Sequence, residues 1–362
     1  MRILIATDAW HPQVNGVVRT LTMMAEAARS LGDEVVFLTP ETFRTVELPS
    51  YPDLRIAIPS MGKIARMIEE ANPDSIHIAT EGPIGIWVWR YCRRHGLPFT
   101  TSFHTRFPEY ISARAPIPES WIWACLRYFH GASHAVMAAT PALADELRGR
   151  GFKNIVLWPR GVDANLFRPR DVDLGLQRPI FLCVGRVAVE KNLEAFLSLD
   201  LPGTKVVVGD GPAREELQRK YPDAVFPGAQ HGETLAKTYS AADVFVFPSK
   251  TDTFGLVLLE ALASGVPVAA LPVTGPKDVI GDSPVGVLSE DLRSAALAAL
   301  KIPHEACREF ALQHSWEACA RIFVDNVNRV LIADHRTHRR RSIKAMLKRA
   351  SQVRFKFKFL RN

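Results

Sequence analysis

Two carboxylates eight residues apart, Asp252 and Glu260, suggest a ligand site at the start of a helix. The apolar run at 243–247 predicts a short buried strand, and a polar loop follows it. Asp252 and Thr253 are residue types that cap helices, so the helix is predicted to open at Phe254–Gly255. Free N–H groups at a helix N-terminus favour a phosphate, and a glycine there leaves room for a ligand. Asp252 and Glu260 can then line one edge of a cleft.

Two cations follow another predicted strand, at 180–184. Arg186 and Lys191 lie in the segment G-R-V-A-V-E-K-N, between that strand and the next predicted helix. Two cations at this position can neutralise a diphosphate leaving group without a metal, and each charge-assisted hydrogen bond contributes about 1.5–3 kcal/mol. The alternative is a surface ion pair with Glu190 or Glu194.

Gly16 and His104 also lie near the ends of predicted strands. Gly16 belongs to a turn after the first strand, a position at which many Rossmann-like units have a glycine. His104 follows the strand at 98–103, and α/β folds bind their ligands at the carboxyl ends of strands. The alternative for His104 is a core histidine that is satisfied by a backbone carbonyl.

Composition and patterning predict a two-domain α/β protein. The chain has 362 residues, of which 47% are hydrophobic, and strands alternate with helices in both halves. Its five cysteines form no C-x-x-C pair, so a reducing cytoplasm is expected and a zinc site is not. No G-x-G-x-x-G follows the first strand, which argues against a dinucleotide oxidoreductase. The D-x-D at Asp171–Asp173 lies in a predicted linker, so no catalytic metal is expected.

The segment at 248–267 resembles the acidic-x7-acidic segment of family 4 retaining glycosyltransferases, which have two facing Rossmann-like domains (the GT-B fold). The P-x-x-N-G-V-x-R context of Gly16, R-G-V-D at 160–163 and G-D-G-P at 209–212 are similar to the same family. R-G-V-D is expected to close the hinge between the domains, and G-D-G-P is interpreted as a structural turn. That family usually has glutamate at both ends of the acidic segment, whereas this chain has Asp252 at the first. Within the family, the segments at 249–260 and 272–280 are most similar to bacterial diacylglycerol glycosyltransferases.

The resemblance implies a role for each of these residues. Arg186 and Lys191 would hold the diphosphate, His104 and Asp252 would contact the donor sugar, and Glu260 would bind the ribose hydroxyls. His104, Arg186, Lys191 and Asp252 are the predicted catalytic residues. The predicted donor-binding residues are Gly16, Gly185, Arg186, Lys191, Asp252, Thr253, Phe254, Gly255, Leu256, Val257 and Glu260. No metal or cofactor is expected, because the donor is itself a substrate, UDP-glucose or UDP-glucuronate. The implied mechanism is a same-face displacement that retains the anomeric configuration.

The implied domain organisation has five parts. The last helix of the second domain is expected to cross back and pack on the first, as in the resembled family. The parts are residues 1–168 as the acceptor domain, 169–179 as a linker, 180–309 as the nucleotide-sugar domain, 310–334 as the crossover helix, and 335–362 as a basic tail.

The tail at 335–362 changes the sign of the protein's charge. It contains 11 Lys and Arg and no acidic residue, whereas the rest of the chain has 34 basic and 38 acidic side chains. Apolar residues share one face of a predicted helix at 343–350, and three phenylalanines alternate with cations after it. This pattern predicts reversible docking on an anionic membrane. A disordered, solubilising tail is the alternative.

The predicted function is a hexosyltransferase that moves glucose or glucuronic acid from a UDP-sugar to a lipid hydroxyl, that of diacylglycerol. The predicted location is the cytoplasmic face of the cell membrane, with no nucleic-acid partner and no prediction for the oligomeric state. Two predicted helices in the first half of the chain, at 84–95 and 118–130, contain several aromatic and arginine residues. Some of these aromatic residues are expected to pack in the core, and the others are expected to form a surface that faces lipid. One alternative is a mannosyl- or polysaccharide-type transferase. Another is a non-enzymatic binder of membranes or RNA.

Overall fold

The computed structural model describes residues 1–11, 16–48, 51–104, 118–250 and 254–333. Within these ranges there are two parallel sheets of six strands each and one antiparallel pair. The strands are β1 Arg2–Ala6, β2 Glu34–Leu38, β3 Thr45–Leu48, β4 Tyr51–Ala57, β5 Ser75–Ile78, β6 Phe99–Phe103, β7 Ala135–Ala138, β8 Ile155–Leu157, β9 Ile180–Val184, β10 Thr204–Val208, β11 Val225–Gly228, β12 Val244–Phe247, β13 Val268–Ala270 and β14 Gly286–Leu288.

Helices connect these strands and cover both faces of each parallel sheet. They are α1 Gly16–Ser30, α2 Met61–Ala71, α3 Pro83–His95, α4 Glu119–Gly131, α5 Pro141–Gly149, α6 Leu193–Leu197, α7 Arg214–Lys220, α8 Gly232–Ala241, α9 Leu256–Ala263, α10 Pro276–Val279, α11 Leu292–Ala299, α12 His304–Leu312 and α13 at 316–333. Short 3-10 turns lie at Pro40–Thr42 and Val189–Lys191. None of the described helices is both long enough and apolar enough to cross a membrane.

The two parallel sheets confirm the predicted α/β class. Their strand orders are β2-β1-β5-β6-β7-β8 and β11-β10-β9-β12-β13-β14. Strands such as β1 and β9 are almost continuously apolar because helices bury both of their faces. Each sheet reverses its direction of winding beside its first strand, between β1 and β5 and between β9 and β12. The carboxyl ends of strands at such a reversal form the crevice in which open α/β sheets bind ligands. The antiparallel pair β3–β4 was not predicted.

The C-terminal crossing differs from the prediction, which started the crossover helix at residue 310. Cys307 and Ala311 of α12 are buried in the core of the second domain. The chain crosses at 313–315, where it leaves the helical conformation, and α13 then packs Trp316 and Phe323 into the core of the first domain with β1 and α1. A single helix from 310 cannot serve both cores, because the two apolar faces point to different domains.

The start of α9 also differs from the prediction. The N-cap residue is Gly255, with φ of 82°, in the left-handed region that favours glycine. The predicted capping residues, Asp252 and Thr253, lie outside the described residues. The Leu258 N–H donates to the Gly255 carbonyl at 3.0 Å, so the N–H groups of Leu256 and Val257 precede the first bond within the helix.

Candidate active site

The N-termini of α1 and α9 meet at the boundary between the two domains. A Cβ atom on Gly16 would lie 3.9 Å from Cδ1 of Leu256, which is an ordinary van der Waals contact. Leu256 also packs against the core cluster of the first domain, to which Trp10 and Val17 contribute. The glycine turn of one domain therefore faces the helix start of the other, and both present helix N-termini that suit an anionic ligand.

An ion pair joins the domains one helical turn behind this contact. Nη1 of Arg19, on α1, lies 2.5 Å from Oε1 of Glu260, on α9. The Tyr239 hydroxyl donates to Oε2 of the same carboxylate at 3.0 Å. Arg19 is 38% exposed, but Glu260 is only 3% exposed, so Arg19 covers the carboxylate on the solvent side. Glu260 lies where the domains meet, but it is buried and already paired, so any ligand hydroxyl would have to share it with Arg19 or displace Arg19.

The electrostatics of Glu260 follow from this burial. Removal from water raises the pKa of the carboxyl, whereas Arg19 and the Tyr239 hydroxyl act in the opposite direction. Burial, followed by the charge of Glu260, raises the pKa of Tyr239 well above its ordinary value. Tyr239 therefore stays a neutral donor that fixes the orientation of the carboxylate. Sequence analysis assigned no role to Arg19 or Tyr239, although Arg19 lies in the segment that resembles the family.

The loop with the predicted diphosphate ligands is held by backbone packing. A Cβ on Gly209 would lie 1.8 Å from the Gly185 carbonyl oxygen, so only glycine fits where G-D-G-P crosses the loop. The Val187 N–H donates to the Asp210 carbonyl at 2.8 Å across the same crossing. G-D-G-P, which was interpreted as a structural turn, thus positions the segment that carries Arg186. Arg186 is exposed at this edge of the sheet.

The same loop is tied to the acidic segment. Asn192 follows Lys191, and its Nδ2 donates to the Pro248 carbonyl at 3.0 Å. Pro248 directly follows β12, which pairs with β9, the strand that leads into the Arg186 loop. Lys191 therefore lies beside the chain that leads to Asp252, although Asp252 and Thr253 are not among the described residues. Phe254 is buried in the core of the second domain and anchors the far end of that segment.

His104 is buried at the carboxyl end of β6 in the first domain. Its Nδ1 lies 3.2 Å from Nη2 of Arg160, so its partner is a guanidinium and not the backbone carbonyl of the alternative interpretation. Arg160 begins R-G-V-D, which was expected to close the hinge between the domains. The later residues of that motif do contact the crossing, because Val162 forms a β-bridge with Ser315. Arg160 itself turns into the first domain, and sequence analysis missed its contact with His104.

The structure therefore brings the predicted residues together in two groups. Gly16, Leu256 and Glu260 meet where the domains join, and the Arg186–Lys191 loop adjoins the end of β12. His104 lies at the carboxyl edge of the first sheet, the edge from which the Gly16 turn also arises. Among the described residues, no group of three or more His, Cys, Asp or Glu is arranged to hold a metal ion.

Comparison with known proteins agrees with this architecture. The model of Glycosyltransferase Family 4 matches residues 14–166, and the model of Glycosyl transferases group 1 matches residues 178–302. A GDP-mannose-dependent alpha-mannosyltransferase of Mycobacterium tuberculosis is 32% identical over 80% of this chain and 83% of the relative. The chain belongs to glycosyltransferase family 4. The glycosyltransferase also shares its fold with a sucrose-phosphate synthase of Thermosynechococcus elongatus, a GT-B structure, with a TM-score of 0.77, 21% identity and coverage of 92% of this chain and 99% of the other.

The comparisons correct one part of the predicted relationship. An alpha-monoglucosyldiacylglycerol synthase of Streptococcus pneumoniae is 27% identical to this glycosyltransferase over 83% of this chain and 78% of the relative. The mannosyltransferase is therefore more similar than the diacylglycerol enzyme that was expected. The expectation relied on a short stretch around the acidic segment, whereas the comparisons cover about four fifths of the chain.

Proposed function

We propose that this glycosyltransferase transfers mannose from GDP-mannose to a hydroxyl of a membrane lipid, with retention of the anomeric configuration. One observation carries the choice of sugar, the 32% identity to a GDP-mannose-dependent alpha-mannosyltransferase. A second candidate is the transfer of glucose or glucuronic acid from a UDP-sugar to diacylglycerol. The 27% identity to an alpha-monoglucosyldiacylglycerol synthase supports it.

The geometry supports departure of a nucleoside diphosphate at the domain boundary. Arg186 and Lys191 would offset the charge that grows on the departing diphosphate, and the N-termini of α1 and α9 add partial positive charge. The backbone crossing with G-D-G-P fixes this loop before the donor binds, so little reorganisation is needed during the reaction. In this proposal the leaving phosphate takes the proton of the acceptor hydroxyl on the same face of the sugar. No protein nucleophile and no metal are required.

Exposed aromatic side chains on α4, with an arginine of α3 beside them, support a lipid acceptor. Trp121 is 70% exposed and Tyr128 is 67% exposed. Arg93 lies 4.8 Å above the Trp89 ring and donates to the Tyr128 hydroxyl at 3.1 Å. Tyr91, Trp123 and Phe129 of the same helices are buried in the core, and Trp87 is half-buried against it. Aromatic rings and arginines presented together suit the interface of an anionic bilayer. The proposed location is the cytoplasmic face of a membrane.

A donor panel tests the proposed function. The full chain would be incubated with GDP-mannose, UDP-glucose or UDP-glucuronate and with anionic liposomes that contain diacylglycerol or glycosylated diacylglycerol. We expect a mannolipid to form from GDP-mannose, detected by thin-layer chromatography and mass spectrometry. A glucolipid or glucuronolipid alone would favour the second candidate. Turnover of all three donors without lipid product would contradict a lipid acceptor.

We expect Arg93→Glu with Arg94→Glu to weaken sedimentation with anionic liposomes. Each cation near an anionic surface contributes about 1 kcal/mol, so reversal of two charges lowers the binding constant by at least about tenfold. Arg219→Glu, on the exposed surface of the second domain, is the control for a change in net charge. If sedimentation is unchanged, α3 and α4 do not contact the membrane.

Deletion of residues 335–362 is expected to remove activity on liposomes but to preserve activity on a water-soluble acceptor analogue. The tail brings 11 cations, and even after a severalfold discount for chain entropy its loss weakens membrane binding more than tenfold. The measurement is the product rate on the two acceptor forms with the same donor. Equal losses on both forms would mean that the tail supports folding or catalysis, and no loss on either would exclude a docking role.

A further inference from the structure

Arg160 is a buried cation without a carboxylate partner among the described residues. It is 5% exposed, and its Nη1 donates to the Trp158 carbonyl at 2.6 Å and to the Pro159 carbonyl at 3.2 Å. Its guanidinium lies 4.4 Å above the Trp158 ring. Burial lowers the pKa of Arg160 to about 10, so the group remains charged at neutral pH. Burying a charge without a carboxylate partner costs free energy, so the presence of Arg160 here suggests that it has a role.

The contact of Arg160 with His104 defines the protonation state of the imidazole. A guanidinium has donors and no acceptor, so Nδ1 of His104 must accept from Nη2 across the 3.2 Å that separates them. Nδ1 then has no hydrogen, and the ring proton of a neutral imidazole must lie on Nε2. Burial, followed by the charge of Arg160, holds the pKa of His104 well below its ordinary value. The ring is therefore neutral, with a single tautomer.

The Nε2–H group of His104 is the part of this arrangement that lacks a partner. It is buried and has no hydrogen-bond acceptor within the described part of the chain. Two other buried histidines of the first domain, His77 on β5 and His130 on α4, have a polar atom within 2.9 Å of each ring nitrogen. Those atoms belong to Thr100 and Ser102 for His77, and to Thr101 and Glu81 for His130. Leaving a buried donor unsatisfied is costly, so the open position at Nε2 of His104, which contrasts with the filled positions at His77 and His130, indicates a place for a ligand oxygen.

We propose that Arg160 is a positioning residue that holds His104 as the Nε2–H tautomer, so that His104 donates a hydrogen bond to a hydroxyl oxygen of the bound sugar. His104 then cannot serve as a general base, because Nδ1 faces Arg160 and Nε2 already has its proton. Arg160 orients the ring and does not touch the sugar. This inference depends on the proposed sugar transfer for the identity of the ligand, whereas the tautomer is a property of the free protein.

The first test is nitrogen NMR of the full chain labelled at its histidine side chains, without substrate. The His104 signals are assigned by their loss in His104→Gln. We expect Nε2 to show a directly bonded proton and Nδ1 to have the shift of an unprotonated nitrogen throughout the neutral range. A proton on Nδ1 in the wild-type protein would overturn the proposal even if the protein transfers sugar. If the protein shows the expected tautomer but turns over no sugar donor, the role assigned to Arg160 is supported and the proposed function is contradicted.

The second test uses kinetics against pH. Arg160→Met removes the guanidinium, so we expect a mixture of tautomers and about tenfold lower kcat/KM at neutral pH, with part of the rate recovered at acid pH, where the ring becomes able to protonate and Nε2 then always carries a hydrogen. Arg160→Lys should restore much of the rate and the flat profile, because it keeps a buried donor and charge. Arg66→Met, an exposed arginine of the same domain, is the control. An unchanged pH profile and tautomer in Arg160→Met would overturn the assignment.

The third test covers the case in which Arg160 variants do not fold. Glutamine at position 104 places an amide N–H near the position of Nε2, whereas alanine removes the donor and leaves nothing in its place. We expect His104→Gln to keep kcat/KM about tenfold above that of His104→Ala. Equal rates for the two variants would mean that no donor is needed at this position and would reject the proposed role.

Discussion

Arg186→Ala is expected to lower kcat by about 10²- to 10³-fold, with a similar loss for Lys191→Ala. Both side chains extend from the loop that G-D-G-P fixes after β9, where the departing diphosphate is proposed to lie. The charge on that group increases as the glycosidic bond breaks, so the cations stabilise the transition state more than the bound donor. The loss should therefore appear in kcat and less in the donor KM. The measurement is steady-state kinetics with the donor that the panel identifies.

Lys301→Ala is the matched control for this prediction. Lys301 is exposed and follows α11, which runs back from the carboxyl end of β14, so it lies at the opposite edge of the same sheet. We expect its kinetics to equal those of the wild-type protein. If Arg186→Ala and Lys191→Ala changed neither kcat nor KM while binding to liposomes or RNA persisted, the proposed diphosphate site would be wrong.

Glu260→Gln is expected to raise the donor KM by about 30-fold, because a charged acceptor for the ribose hydroxyls becomes a neutral one. Glutamine keeps the volume of the side chain and one acceptor for the Tyr239 hydroxyl, so the local packing should survive. Arg19→Gln should change the donor KM by no more than about fivefold, because the glutamine amide can still donate to the buried carboxylate, and a neutral donor differs from a charged one by about 1 kcal/mol. The measurement is nucleotide-sugar binding and KM for both variants.

The comparison of these two variants separates ligand binding from domain contact. If Glu260 serves only to join α1 and α9 through Arg19, then both variants should weaken donor binding equally. That outcome would remove Glu260 from the donor site and leave it as a structural residue. Glu216→Gln, an exposed substitution of the same type on α7, controls for the loss of one negative charge.

The sequence alone determined the class of fold and the relative position of the segments that carry the candidate site. Strands that are buried on both faces have continuous apolar runs, so β9 and β12 could be located without coordinates. Their carboxyl ends must lie at one edge of a parallel sheet, which predicts that the Arg186 loop and the segment at 248–260 are close together. The Asn192 to Pro248 hydrogen bond shows that closeness. These predictions succeeded because they need only local patterns and the geometry of parallel sheets.

Tertiary structure alone decided which side chains meet. Arg19 and Glu260 are in different domains, and no local pattern states how two sheets face each other. From the sequence, Arg160 was interpreted as part of a hinge. The structure shows that it contacts His104, because β6 and β8 lie two strands apart in the same sheet. The break at 313–315 likewise depends on tertiary structure, because the residues before it pack in the core of the second domain and the residues after it pack in the core of the first. Periodicity reports which face of an element is buried, but the partner that buries it depends on contacts between residues far apart in the chain.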